Sequence, residues 1–147
     1  MKKIIIFIPI ILGTLVGLLL MNSYEFYQGL IKPPLAPPNW LFPIAWSILY
    51  LLMGISYYKI IDKSDDVIIR QIYRIQLFFN LVWPVIFFLF ELLLLSSIWI
   101  VCLDVLVIIM IYMFYKIDSK AGLLQIPYLI WILFATYLNI SIFILNL

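Results

Sequence analysis

The sequence predicts an all-α membrane protein, a bundle of five transmembrane helices with a long proline-rich first loop. Three observations predict it. Of its 147 residues 67% are hydrophobic and 11% charged, more apolar surface than a soluble fold of this size can hide. The apolar residues gather into five segments, at about 4–21, 40–59, 72–90, 97–115 and 122–145, each near the roughly 20 residues that a helix needs to cross a bilayer. Nearly all the charged residues stand in the separators. The whole chain reads as a single membrane domain.

The first segment, "MKKIIIFIPIILGTLVGLLLMN", begins like a signal peptide, with two lysines ahead of an apolar run. It has no evident small-residue cleavage site, and the run from Ile4 to Met21 is long enough to span, so it is read as a retained helix. Gly13 and Gly17 form a Gly-x-x-x-Gly pair that lets another backbone approach closely. The partner is either a helix of the same bundle or a second copy in a homodimer. After the loop "NSYEFYQGLIKPPLAPPN" comes the second segment. Five of the eight prolines (Pro33, Pro34, Pro37, Pro38 and Pro43) fall within eleven residues, beside Trp40 and Trp46. Prolines reduce the freedom that a loop loses on ordering and remove N–H donors that an apolar setting could not satisfy. The second separator is "KIIDKSDDVIIRQIYR", the third a short turn near Glu91–Ser97, the fourth "YKIDSKAG". Pro84 lies midway along the third segment and Pro127 near the start of the fifth, where kinks that open space between helices are expected.

Basic residues set the expected orientation. Lys2, Lys3, Lys59, Lys63, Arg70, Arg74, Lys116 and Lys120 fall on one side and Lys32 alone on the other. This predicts a cytoplasmic N-terminus, with the proline-rich loop and the C-terminus outside. The composition and the lack of a targeting presequence look bacterial, which places the chain in the cytoplasmic membrane. A net charge of +2 from scattered residues argues against a nucleic-acid partner. The absence of His removes the commonest metal and haem ligand and the usual general base, and the lone Cys102 forms no intrachain disulfide. No metal site and no required cofactor are expected. Patterns of the cholesterol-contact type end at Lys59 and Lys116, but a chain so rich in Leu and Tyr matches them by chance.

Helical spacing gathers mixed aromatic and amide stripes. They are Trp46, Tyr50, Met53, Gly54 and Tyr57 on the second segment, and Gln76, Asn80, Trp83 and Phe87 on the third. The fifth carries Tyr128, Trp131, Ala135, Leu138 and Asn139. Lipid has no use for amides, so these faces are expected to turn inward. Each residue singly reads as interhelical glue or an interfacial anchor. Three stripes of one character read as the wall of a pocket for a flat, mostly apolar ligand. Asp104, the one acidic residue well inside a span, is either a proton site, a ligand contact or a neutral carboxyl bonded to a neighbour.

Longer motifs carry a resemblance. "FYQGLIKPPLAPPNWLFPIAWSILYLLMG" (26–54), "FNLVWPVIFF" (79–88) and "AGLLQIPYLIWILFATYLN" (121–139), with the five-span layout and long first loop, resemble the TspO/MBR family of tryptophan-rich sensory proteins and the mitochondrial translocator protein, also called the peripheral-type benzodiazepine receptor. The resemblance covers about 13–146. Phe26 and Leu35 depart from the family's usual aromatic residues, and Pro84 from its usual Ser. The resemblance implies that the loop folds as a lid over a pocket between the helices. It also implies binding of porphyrins, sterols or benzodiazepine-type ligands, with transport, stress sensing or light-dependent porphyrin breakdown as roles.

On that basis a tetrapyrrole ring is expected between the second, third and fifth spans, against Trp46, Tyr50, Trp83, Phe87 and Trp131. Asn80 and Tyr128 would give hydrogen bonds and Lys32 would meet a propionate, with Phe26, Trp40, Ala135 and Asn139 completing the ligand set. Without His, no strong preference for metallated porphyrin is expected. The alternatives are photo-oxidation of porphyrin with Trp131 or Trp46 as electron donor, and a membrane scaffold dependent on Gly13 and Gly17 whose pocket is incidental.

Overall fold

The structure, a computed structural model, describes residues 2–147. A 3₁₀ turn (Lys2–Phe7) leads into α1 (Ile8–Leu19), and the short α2 (Tyr24–Gln28) follows. Then come α3 (Leu41–Lys63) and α4 (Val67–Pro84), the latter continued by a π-helical turn (Val85–Leu89). The chain ends with α5 (Leu93–Ile117), α6 (Ser119–Leu124) and α7 (Ile126–Leu145). Five stretches are long and apolar enough to cross a membrane: Lys2–Leu19, Leu41–Lys63, Val67–Leu89, Leu93–Ile117 and Ser119–Leu145. The described residues form no strand.

Two helix starts, those of α4 and α6, are set by side-chain capping rather than by hydropathy. α4 begins at Val67, five residues before the apolar boundary near 72, because Asp66 Oδ1 accepts from the backbone N–H of Ile68 (2.8 Å) and Ile69 (3.4 Å). Arg70 and Arg74 therefore sit on the helix. α6 starts inside the last separator because Asp118 Oδ1 accepts from the N–H of Lys120 (2.9 Å) and Ala121 (3.2 Å). The fifth span breaks at Gln125, and Pro127 falls in the first turn of α7, where no N–H is needed. At Pro84 the missing donor is absorbed by the wider turn, in which Phe90 N–H donates to Val85 O (3.0 Å). Three consecutive side chains, Ile86, Phe87 and Phe88, are buried there.

The core is continuous from end to end, with Met53, Val107, Met110, Phe114, Tyr128 and Ile132 fully buried. Tyr57 and Tyr73 stack at 3.7 Å, nearly parallel, beside Phe114. The outside carries rows of exposed aliphatic residues, such as Ile44 and Ile48 on α3 and Ile130, Leu133 and Ile144 on α7. That surface is unsuited to water and suited to acyl chains. α1 lies on the outer wall, with only Pro9 of its residues buried. The 3₁₀ turn ahead of it approaches α3 closely at Gly54, where a Cβ would collide with the carbonyl of Ile6.

At the lysine-rich end Lys63 Nζ pairs with Asp118 Oδ2 at 2.6 Å, tying α3 to the start of α6. The hydrogen bond and charge of Lys63, with the Ala121 and Lys120 amides, hold the Asp118 carboxyl below its usual range. Because the folded pKa is depressed, the stabilisation is complete above the ordinary aspartate value of about 3.9 and is lost as pH falls through the lowered value. Thermal melts of the wild type and Asp118→Ala in detergent should differ by a constant amount from neutral pH down to about 4 and converge below it.

Candidate functional site

A cavity of about 410 Å³ lies beneath α1, between it and the loop-end halves of α3 and α4. α1 and α3 diverge along their length. At Gly54 the backbone of α3 nearly touches that of the 3₁₀ turn leading into α1, at Gly13 a Cβ would collide with the Tyr50 ring, and at Gly17 a Cβ would meet nothing within 4 Å. The wedge between them is the cavity. Trp46, Tyr50, Asn80 and Trp83 form its inner wall, Leu20 and Tyr24 close it toward the loop, and Pro43 and Ser47 line it on the exposed flank of α3. Gly13 thus seats a ring of its own bundle, and Gly17 lines the cavity with open space before it.

Trp46 stacks on Tyr50 (5.5 Å between ring centroids) and meets Tyr128 and Trp131 edge-on (6.4 and 6.3 Å). It is the partition between the cavity and the α7 side. Behind it the amides are already bonded. Tyr50 OH donates to Asn80 Oδ1 (2.6 Å), Asn80 Nδ2 donates to Tyr128 OH (2.9 Å), and Tyr128 OH donates to Gln76 Oε1 (2.9 Å). Trp83 Nε1 donates to Asn139 Oδ1 (2.8 Å), and Asn139 Nδ2 to Ser97 Oγ (2.9 Å).

The expected ligand residues therefore divide. Trp46, Tyr50, Asn80 and Trp83 share the cavity wall. Phe87, Ala135 and Asn139 surround only a hole of about 20 Å³ between the second, third and fifth spans, room for a water at most. The space expected to hold the ring is filled, because the π-turn presses Phe87 and Phe88 into it. Tyr128 is fully buried behind Trp46. Trp131 is half-buried, and its Nε1–H has no partner. Phe26 packs edge-on against Phe87 (6.3 Å). Trp40 is 66% exposed and continues the outward line of Ile44 and Ile48, the place of an interfacial anchor. Lys32 Nζ donates to the carbonyls of Gln28 (3.2 Å) and Leu30 (3.3 Å) and sits 4.7 Å above the Tyr27 ring, whose phenol burial pushes up.

Asp104 stands apart, between α5 and α7. Thr136 Oγ1 is 2.7 Å from Asp104 Oδ2 and 2.8 Å from Ile132 O. A hydroxyl has one proton to give. The Thr136 hydroxyl shares that proton between Asp104 Oδ2 and the Ile132 carbonyl one turn back on α7. The carboxyl is thus bonded to a neighbouring helix, and it does not line the cavity. Sequence reasoning had no signal for Thr136 as its partner. Nor did it foresee the buried Gln125, whose amide atoms lack partners, or the α1 residues as a cavity wall. Among the described residues no group of three or more acidic, Cys or His side chains is placed to hold a metal.

The sequence model of the TspO/MBR family matches residues 5–145. Over 123 residues the chain is 42% identical to the tryptophan-rich protein TspO of Archaeoglobus fulgidus, covering 82% of this chain and 80% of that one. It is 33% identical over 127 residues to the tryptophan-rich sensory protein of Cereibacter sphaeroides, covering 86% and 80%. To the translocator protein of Homo sapiens it is 31% identical over 143 residues, covering 87% and 80%.

Asn80 joins two phenols on two other helices, so Asn80→Ala should lower stability by about 1–2 kcal/mol, above the ~0.6 kcal/mol average for one interhelical bond in a membrane. Thermal melts in detergent would read this. A loss no larger than that of an exposed-face change such as Ile130→Ala would show that the network carries nothing.

Proposed function

From the premise that the chain belongs to the TspO/MBR family of multi-pass membrane proteins, we propose that it is a receptor or carrier for a flat, mostly apolar ligand of the porphyrin class, bound beneath α1. The observation that carries this reading is the wedge-shaped cavity. Its volume of about 410 Å³ falls within the roughly 300–1,000 Å³ of small-molecule sites. Its inner wall offers the faces and edges of Trp46, Tyr50 and Trp83, suited to stacking on a planar ring. Asn80 and Tyr50 are the polar groups at that wall, and both are held in place by their own bonds.

In this reading the lysine-rich end faces the cytoplasm, and the loop segment from Met21 to Lys32 is the lid at the outer end. Leu20 and Tyr24 close the cavity on that side. Lys32, among the described residues the only cation at the loop end, exchanges its two carbonyl partners for a ligand carboxylate. The names of the relatives, a sensory protein and a translocator protein, are in keeping with a protein that senses or moves such a ligand.

Titration of purified protein with protoporphyrin IX in the dark, followed by tryptophan quenching, tests the site. Gly17→Leu fills open space without touching the packing at Gly13, so it should abolish saturable quenching while leaving the melting temperature unchanged. Quenching that is non-saturable and alike in wild type and variant would mean that porphyrin merely partitions into detergent. For Lys32→Ala the expected loss is a few-fold, as for an exposed charge pair worth about 0.5–1 kcal/mol, and it should vanish with a neutral porphyrin ester. An equal loss for acid and ester would remove Lys32 from the site.

A further inference from the structure

The proline-rich loop does not stop at the end of the bundle. Asn146, just past α7, grips Ile31 twice: its Oδ1 accepts from Ile31 N–H (3.0 Å) and its Nδ2 donates to Ile31 O (2.9 Å). Three residues on, Pro34 O accepts from Tyr137 OH at 3.0 Å. Tyr137 lies nine residues before Asn146, about 13 Å back along the helix. It belongs to the exposed row of α7 with Ile130, Leu133 and Ile144. The chain thus turns over the rim and runs down the flank that faces acyl chains.

The tip is built for an apolar medium. Of the six positions 33–38 four are prolines, so only Leu35 and Ala36 carry a backbone N–H. Ala36 N–H closes a turn onto Pro33 O (3.4 Å). No charged residue occurs between Pro33 and Tyr58. In the turn Leu35 takes φ 72°, a left-handed conformation that Gly or Asn adopts more readily. Its side chain is 81% exposed. A leucine held against its backbone preference, with its side chain aimed away from the protein, gains nothing in water. Placed among acyl chains, it gains a hydrophobic side chain's transfer.

We propose that the loop tip, Pro33–Trp40, is a membrane anchor inserted beside α7 into the leaflet at the loop end, with Leu35 as the side chain that enters the acyl layer and Trp40 at the headgroup level. The partner is the lipid bilayer, in continuity with the apolar belt of α3 and α7.

Spin labels at Leu35→Cys, Glu25→Cys and Ile144→Cys, each on a Cys102→Ser background in phosphatidylcholine vesicles, would locate the tip. The Leu35 label should match Ile144, reachable by oxygen and shielded from a water-soluble nickel chelate. A label as open to nickel as the Glu25 reference would overturn the proposal. Leu35→Asn gives an independent reading, since it suits the turn better but suits lipid worse. Hydrogen exchange of the Ile31 amide in vesicles should quicken several-fold in this variant. Slower exchange would mean that relief of backbone strain is the whole effect, and the anchor reading would fail.

Discussion

Inside a bilayer a polar group has only the protein to bond with, and the architecture of this chain follows from that constraint. Apolar contact cannot by itself fix helices against one another, because acyl chains are as apolar as leucine. What fixes α3, α4 and α7 is the sequence of donors through Tyr50, Asn80, Tyr128 and Gln76. Asn80 can sit at its centre because an amide accepts at one end and donates at the other, so one side chain serves two phenols of opposite role. Asn139 does the same between Trp83 on α4 and Ser97 on α5. A rotation of any of these helices by one residue, about 100°, would break several bonds together, so the network specifies register as well as stability.

α1 is outside this network. Among the described residues its only side-chain hydrogen bond is internal, from Thr14 to Ile10 O (2.7 Å). It is held by shape: the preceding 3₁₀ turn crosses α3 at Gly54, and the Tyr50 ring is seated at Gly13. Both fasten it toward the lysine-rich end, and at Gly17 open space stands before it. A cavity beneath the one span that owes nothing to hydrogen bonds can widen without breaking any, which is what a ligand arriving from the side of the bundle requires.

Much of this was legible in the sequence, for physical reasons. Hydropathy locates helices because the bilayer demands it, and the 3.6-residue period turns Gln76, Asn80, Trp83, Tyr128 and Asn139 inward because amides do not face lipid. What the pattern could not convey was how the inward groups pair. Those amides bond phenols, an indole and a serine of other helices, so the space expected between the second, third and fifth spans is packed, and the open space lies under the first. Periodicity ranks faces of single helices; a cavity depends on how two helices diverge, and that is set by particular contacts such as Ile6 against Gly54. Trp40 misled for a related reason. It lies beside the pocket stripe in sequence, but one line round the helix it looks outward. Helix starts at Asp66 and Asp118 depend on single carboxylates that hydropathy does not weigh.

The loop completes the mechanical picture. Its proline-dense part is fastened to α7 at Ile31 and Pro34, whereas the part joining it to α1, from Met21 to Leu30, contains no proline and includes Gly29. Any outward motion of α1 must therefore be absorbed between Met21 and Leu30, because the next residues are stiff and bonded. Tyr24 lies in that segment and lines the cavity, with its ring 5.1 Å from Phe88 of the π-turn. Opening beneath α1 would pull Tyr24 from Phe88 before it disturbed the anchored tip. The compliant segment and the cavity's loop-end wall are thus the same residues, and the prolines confine the movement to them.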